Sequence, residues 1–233
     1  MAGSACVTLR AVLFDVDFTI CRPGPELSAE RYARVAARHG VELDVSRYEA
    51  AREAAVVDLK RHPELLHDET IWHVFTEDIF VRMGGPKEIA SECATEIERG
   101  WEASENFELY EDVLPVLDDL RGYGLKLGLV SNGIRDLAEF VAHHRLEVDA
   151  IVDSRTHGRV KPHPTIFRAA LERLGVVAAN AAMVGDSPAE DVEGARAIGM
   201  QAILVDRDGR YPEIDDRLTD LFALPAALGL ARS

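Results

Sequence analysis

Ala11-Val12-Leu13-Phe14-Asp15-Val16-Asp17-Phe18-Thr19 is a run of four apolar residues that stops at an acidic pair two residues apart. So short an apolar run reads as a strand buried on both faces, as in a parallel sheet covered by helices. The pattern recurs downstream. Leu125–Val130, Ala150–Val152, Ala181–Val184 and Ala202–Val205 are short, mostly apolar runs leading into Ser131, Asp153, Gly185-Asp186 and Asp206. Helical periodicity lies between them at Asp112–Arg121, Gly133–His143, Pro164–Leu174 and Pro188–Ile198, with Gly175 and Gly199 where helix C-terminal glycines belong. The fold class this predicts is α/β, a doubly wound parallel sheet of Rossmann-like type.

One connection breaks the alternation. Residues 22–108 hold no convincing strand but carry helical stretches at Ser28–His39, Ser46–Arg61, Asp68–Met83 and Pro86–Trp101. Ser46-Arg47-Tyr48-Glu49 has the form of a capping box, and Gly84-Gly85-Pro86 separates two helices. Four helices on short turns must bury their own apolar stripe, and Trp72, Phe75, Ile79 and Phe80 fall at the spacing of such a core. The expected organisation is an α/β core of residues 1–21 and 109–233 with an all-helical domain, 22–108, inserted after the first strand.

Composition narrows the function. The chain has 233 residues, and 26 Lys and Arg against 41 Asp and Glu leave a net charge of −15. Such a surface repels a phosphate backbone and an anionic membrane, so neither nucleic acid nor membrane is expected as a partner. No stretch reaches the roughly 20 apolar residues that span a bilayer, and the N-terminus lacks the form of a signal peptide. Cys6, Cys21 and Cys93 are odd in number and widely spaced, which suits reduced thiols in a cytoplasmic protein, with Cys21 a packed neighbour of the chemistry.

Ligand sites of open α/β sheets lie outside the carboxyl ends of the strands. Asp15 and Asp17 follow the first strand, Ser131 and Asn132 the second, and Asp186 and Asp191 the fourth, with Lys161 before Pro162 between the last two. Each has an ordinary explanation by itself: Asp-x-Asp in a turn, Ser131 and Ser187 as helix caps, Glu190 completing a capping box, Lys161 as surface. The conjunction at strand ends is what singles them out. Four gathered carboxylates must take up protons or bind a cation, and hard oxygen ligands without Cys or His favour Mg²⁺. Mg²⁺ held by few carboxylates commonly shares a phosphate oxygen, which points to a phosphorylated substrate. The helix N-termini after Ser131 and Lys161 would hold its other oxygens.

With these motifs in order, the chain resembles the haloacid dehalogenase-like hydrolase superfamily, in the branch with a helical cap after the first strand. Asp15-Val16-Asp17-Phe18-Thr19, Ser131, Lys161, and Gly185-Asp186 with Asp191 match its four motifs. The resemblance implies Asp15 as nucleophile, forming an aspartyl-phosphate, and Asp17 as general acid and base. It implies Asp15, Asp186 and the Asp17 carbonyl as Mg²⁺ ligands, with Asp191 behind them. Thr19, Ser131, the Asn132 backbone and Lys161 would hold the phosphoryl group. Phe18 stands where the family commonly has Gly, and His163 where many members have Asp.

The expected activity is hydrolysis of a small phosphorylated metabolite, by a monomer or homodimer. Dehalogenases of this type lack an acid at the position of Asp17, since a halide leaves without a proton. The alternatives are 2-haloacid dehalogenation, phosphoryl transfer to another acceptor, or a non-catalytic regulatory protein. Within the insertion, Arg22, Arg31, Arg34, Arg52, Lys60 and Arg61 are candidate substrate-binding cations, most of them expected to be solvated. The insertion is expected to close over bound metabolite and set specificity. His62, His67 and His73 lack the spacing of a zinc site.

Overall fold

The computed structural model of the protein describes residues 8–59 and 62–230. Cys6, Lys60 and Arg61 lie outside them. In chain order the elements are β1 (Ala11–Phe14), β2 (Cys21–Pro23), α1 (Ala29–Arg38), α2 (Tyr48–Asp58), α3 (Thr70–Arg82), α4 (Lys87–Glu102) and β3 (Phe107–Leu109). There follow α5 (Val113–Gly122), β4 (Lys126–Ser131), α6 (Leu137–His143), β5 (Ala150–Asp153), α7 (Ser154–His157) and α8 (Pro164–Leu174). The chain ends with β6 (Ala181–Gly185), a π-helical turn (Pro188–Glu193), α9 (Gly194–Arg196), β7 (Gln201–Leu204) and α10 (Leu224–Ala227).

Five strands form one sheet in the order β5-β4-β1-β6-β7, every neighbouring pair parallel. This is the doubly wound α/β architecture expected. Strand residues alternate between the two faces. Leu13, Val130, Val152, Met183 and Leu204 pack with Ile166, Phe167 and Leu171 of α8 in one buried cluster. Val12, Phe14, Leu127 and Leu129 are equally buried, so the strands are apolar on both faces, as a doubly covered parallel sheet requires. Chain order reverses on passing from β1 to β6, so the topological switch lies between these two strands.

The chain divides into two compact units. One comprises the residues up to Arg22, Leu109–Gly133 and Leu137 onward, and the other Pro23–Glu108 with Ile134–Asp136. The second unit has its own core, in which Tyr32 and Val35 of α1, Ile79 and Phe80 of α3, and Cys93 and Ile97 of α4 are buried together. Phe75 packs against that cluster, and Trp72 meets Phe75 edge-on at 6.0 Å. The chain passes from the first unit to the second along β2 and returns along β3, and these short strands pair. Gly24 N–H donates to Asn106 O at 2.8 Å and Tyr110 N–H to Ile20 O at 3.2 Å.

Four local expectations need correction. Ser46 does not cap α2: a 3₁₀ turn, Val45–Arg47, precedes the helix, and Asp44 caps it by accepting from Ser46 N–H at 3.1 Å. The aspartate is the stronger acceptor and stands two residues earlier. Glu190 does not complete a capping box, because Ser187 N–H is taken by Asp191 at 3.0 Å while Glu190 accepts from Asn132 at 2.8 Å. The helix expected from Gly133 begins only at Leu137; Ser131 Oγ first accepts from Gly133 N–H at 3.1 Å in a turn. Finally, Pro188–Glu193 is a π-turn, because Ser187 O accepts from both Asp191 N–H at 3.0 Å and Val192 N–H at 3.3 Å.

Candidate active site

Asp15 follows β1 and Asp186 follows β6, so the two carboxylates flank the switch between those strands. The π-turn after Ser187 brings Asp191 to the same point. One carboxylate oxygen from each of Asp15, Asp186 and Asp191 falls within 4.8 Å of the others. Gly185 makes this approach feasible: a Cβ there would stand 2.2 Å from Asp191 Oδ2.

Lys161 is 2% exposed, and its ammonium donates to Asp15 Oδ1 and, at 2.7 Å, to Asp191 Oδ1. Asp15 Oδ2 accepts from Thr19 Oγ1 at 3.1 Å. The loop bearing Asp15 is further fixed by Ile20 and Cys21 N–H groups donating to Val16 O at 2.9 and 3.1 Å. Asp17 is partly exposed, and the Cys21 thiol donates to its Oδ1 at 3.7 Å. Ser131 is buried at the end of β4; a Cβ at Gly133 would lie 3.2 Å from Ser131 Oγ and 3.3 Å from Asp17 Oδ2, so the two side chains converge there.

Burial dominates the electrostatics. It pushes the Asp15 carboxyl up to about 7, helped by the charges of Asp191 and Asp17 and opposed by Lys161. Asp186 is pushed up to about 7 by burial and by Asp15, against the pull of Arg210. Burial raises Asp191 as well, with Lys161 opposing. Burial alone would lower Lys161, but Asp15 and Asp191 outweigh it and hold the ammonium above its ordinary value. With all three carboxylates ionised, Lys161 and Arg210 would leave one surplus negative charge. A set of hard oxygens with that balance fits a small divalent cation.

Some of the constellation has no signal in the sequence. The Asn132 side chain bonds the Lys161 backbone twice, accepting from its N–H at 2.7 Å and donating to its carbonyl at 3.1 Å, which locks the two loops together. Arg210 pairs with Asp186 at 2.6 Å. Arg207 donates to Thr19 O at 2.9 and 2.7 Å and to Asp112 at 2.9 and 3.0 Å, and its guanidinium lies 3.7 Å from the centre of the Tyr110 ring. Only the spacing of Arg207 and Arg210 after the last strand could have hinted at them. His163 caps α8, accepting from Thr165 N–H at 3.3 Å.

Phe18 has φ of 62°, in the left-handed region, whereas eight of the described glycines supply the other such positions along with Leu65 and Arg145. That conformation costs a residue with a Cβ about 1–2 kcal/mol, which accounts physically for a glycine preference there. Among the insertion's cations, Arg31 donates to the carbonyls of Ile97 and Glu96 at 3.1 and 2.7 Å, Arg34 pairs with Glu26, and Arg52 pairs with Glu49. Arg22 lies 5.7 Å from the centre of the Tyr110 ring.

A sequence profile described as haloacid dehalogenase-like hydrolase matches residues 9–199. The phosphoserine phosphatase of Thermus thermophilus is 31% identical over 91% of this chain and 94% of its own. The glyceraldehyde 3-phosphate phosphatase of Methanopyrus kandleri is also 31% identical, over 91% of this chain and 90% of its own. Among solved structures, a phosphatase from Thermococcus onnurineus superposes with a TM-score of 0.66 at 28% identity, covering 97% of this chain and 100% of that one.

Proposed function

Since the chain belongs to the haloacid dehalogenase-like hydrolase family, we propose that it is a Mg²⁺-dependent phosphatase that cleaves a small phosphorylated metabolite through an aspartyl-phosphate on Asp15. The observation that carries this is the convergence of Asp15, Asp186 and Asp191 within 4.8 Å, with Lys161 bonded to two of them. Asp15, Asp186 and the Asp17 carbonyl would hold the cation, with Asp191 orienting its surroundings. The cation's contribution is to neutralise the non-bridging phosphoryl oxygens.

The chain's own residues carry the rest. Lys161 and Thr19 each hold one oxygen of Asp15, which fixes the carboxylate for in-line attack. As the bond from Asp15 oxygen to phosphorus forms, the ester P–O bond breaks and Asp17 gives its proton to the leaving oxygen. Asp17, now ionised, takes a proton from water as that water's oxygen attacks phosphorus. The Asp15 oxygen–phosphorus bond breaks in this step, regenerating the Asp15 carboxylate and releasing inorganic phosphate. Ser131, the Asn132 backbone and Lys161 receive the phosphoryl oxygens, and the Lys161 charge offsets the charge that builds on them.

Asp17 favours this over dehalogenation, which needs no proton donor at the leaving group. Phosphate release should be measured across a panel of phosphorylated metabolites with Mg²⁺ and with chelator. Turnover confined to Mg²⁺, abolished in Asp15→Asn, and a beryllium fluoride adduct on Asp15 are the expected results. Undiminished activity in chelator would remove the metal from the mechanism. Retention of activity by Asp15→Asn would remove the covalent step, and halide release from a 2-haloacid without any phosphate release would replace the reaction altogether.

A further inference from the structure

The Arg207 guanidinium ties two distant stretches of the first unit to its own. One edge, Nε and Nη2, donates twice to Thr19 O, at 2.9 and 2.7 Å. The adjoining edge, Nη1 and Nη2, donates to the two Asp112 carboxylate oxygens at 2.9 and 3.0 Å. Asp112 also accepts from Leu221 N–H at 2.6 Å, and the Tyr110 ring centre lies 3.7 Å from the guanidinium. The Arg207 side chain is 9% exposed and that of Asp112 2%. Desolvation offsets much of the attraction in a pair buried this deeply, so net stability accounts poorly for it. Its geometry accounts for more. The loop after β1 is shaped from within by Ile20 and Cys21 N–H groups on Val16 O, whereas its Thr19 carbonyl is gripped from outside by Arg207. The hydroxyl of that same Thr19 donates to Asp15 Oδ2 at 3.1 Å.

We propose that Arg207 is a positioning residue for the reaction: by gripping Thr19 O it keeps the Thr19 hydroxyl on Asp15 and so holds the nucleophile in line with phosphorus. This rests on the phosphatase reading above. Because Arg207 acts through Thr19, its loss should be felt in the chemical step and little in substrate binding. A misplacement of about 1 Å costs on the order of a hundred-fold in rate. Lysine keeps the charge beside Asp112 but lacks the two-edged fork, so it cannot serve both partners.

The test compares Arg207→Lys, Arg207→Gln, Thr19→Val and the double variant Arg207→Lys/Thr19→Val with the parent, on p-nitrophenyl phosphate with Mg²⁺, well below each variant's Tm. In both Arg207 variants kcat should fall about ten-fold or more, with KM within about two-fold of the parent. Should Arg207→Gln fail to fold, Arg207→Lys carries the same comparison. Thr19→Val should lose kcat likewise. The double variant should lose less than about two-fold beyond the worse single one, because both changes remove the same hold on Asp15. Hydrogen exchange reads the loop without turnover: the Phe18, Ile20 and Cys21 amides should exchange about ten-fold faster in Arg207→Lys, while those of β4 and α8 keep the parent's rates. A lower Tm with kcat unchanged, a loss carried by KM, losses that multiply in the double variant, or unchanged exchange in the loop would each overturn the proposal. If the parent releases no phosphate from any ester, the phosphatase reading falls instead. Faster loop exchange would then leave the grip of Arg207 on Thr19 standing, and unchanged exchange would remove that too.

Discussion

At the scale of single residues, the site depends on a missing side chain as much as on those present. A methyl group at Gly185 would meet Asp191 Oδ2 at 2.2 Å, and both residues are buried. Gly185→Ala should therefore displace Asp191 from Lys161, cost about 1–3 kcal/mol in urea unfolding, and lower turnover at least as severely as loss of Asp191 itself. A second expectation concerns pH. Asp15 and Asp186 are held near 7 in the folded chain against 3.8 unfolded, so the stability they favour is fully present below 3.8 and is lost as pH rises through 7. A divalent cation held by these carboxylates would reverse that loss. The rise in Tm on adding Mg²⁺ should thus be larger at pH 8 than at pH 6, with protons released on binding near pH 7. Scanning fluorimetry and calorimetry in two buffers check both. Asp15, Lys161, Asp186 and Asp191 were legible because each follows a strand or opens a helix. Arg207, Arg210 and the bonds of the Asn132 side chain to Lys161 were not, because they depend on partners distant in the chain. The bulk of Phe18 was visible in the sequence; its backbone angle was not.

At the scale of elements, long periodic segments could be read and short or irregular ones could not. The five core strands and α8 follow from apolar runs and the helical period, since burial on both faces leaves their sequences little freedom. β2, β3 and α7 have three or four residues each, too few to establish a period. The π-turn escapes pattern reading for another reason: its widening is set by Ser187 O accepting two amides and by Asp191 turning inward to Lys161, which are tertiary facts. Between α3 and α4, His73 meets Glu98 at 3.0 Å and Ser91 at 2.8 Å, and the bond to Glu98 raises its pKa above the ordinary 6.5. Its contribution to stability is present below 6.5 and fades as pH rises through the folded value. The Tm difference between the parent and His73→Gln should accordingly be larger at pH 6 than at pH 8.5, and the histidine's NMR titration should have its midpoint above 6.5.

At the scale of the whole molecule, a net charge of −15 opposes the approach of an anionic ester, while Lys161 and a bound divalent cation would attract it at the site. Screening shortens the reach of the repulsion from about 30 Å at 0.01 M salt to about 8 Å at 0.15 M. The ratio kcat/KM should rise roughly two-fold or more over that range at fixed free Mg²⁺; a steep fall would show that local attraction governs encounter. Among the described residues no helix is long and apolar enough to cross a membrane. The acidic balance and the alternation of strands and helices were readable over the full length, because both are sums over many residues. The places where the chain leaves and rejoins the sheet were less plain, since they rest on single backbone bonds. Those bonds have an evolutionary meaning. Gly24 and Asn106 are joined by one hydrogen bond of 2.8 Å, so the long segment between them leaves and rejoins the chain at neighbouring points. A genetic exchange of that segment for a longer, shorter or unrelated one should leave the order and register of the five parallel strands as they are, so lineages could vary the segment while keeping the sheet.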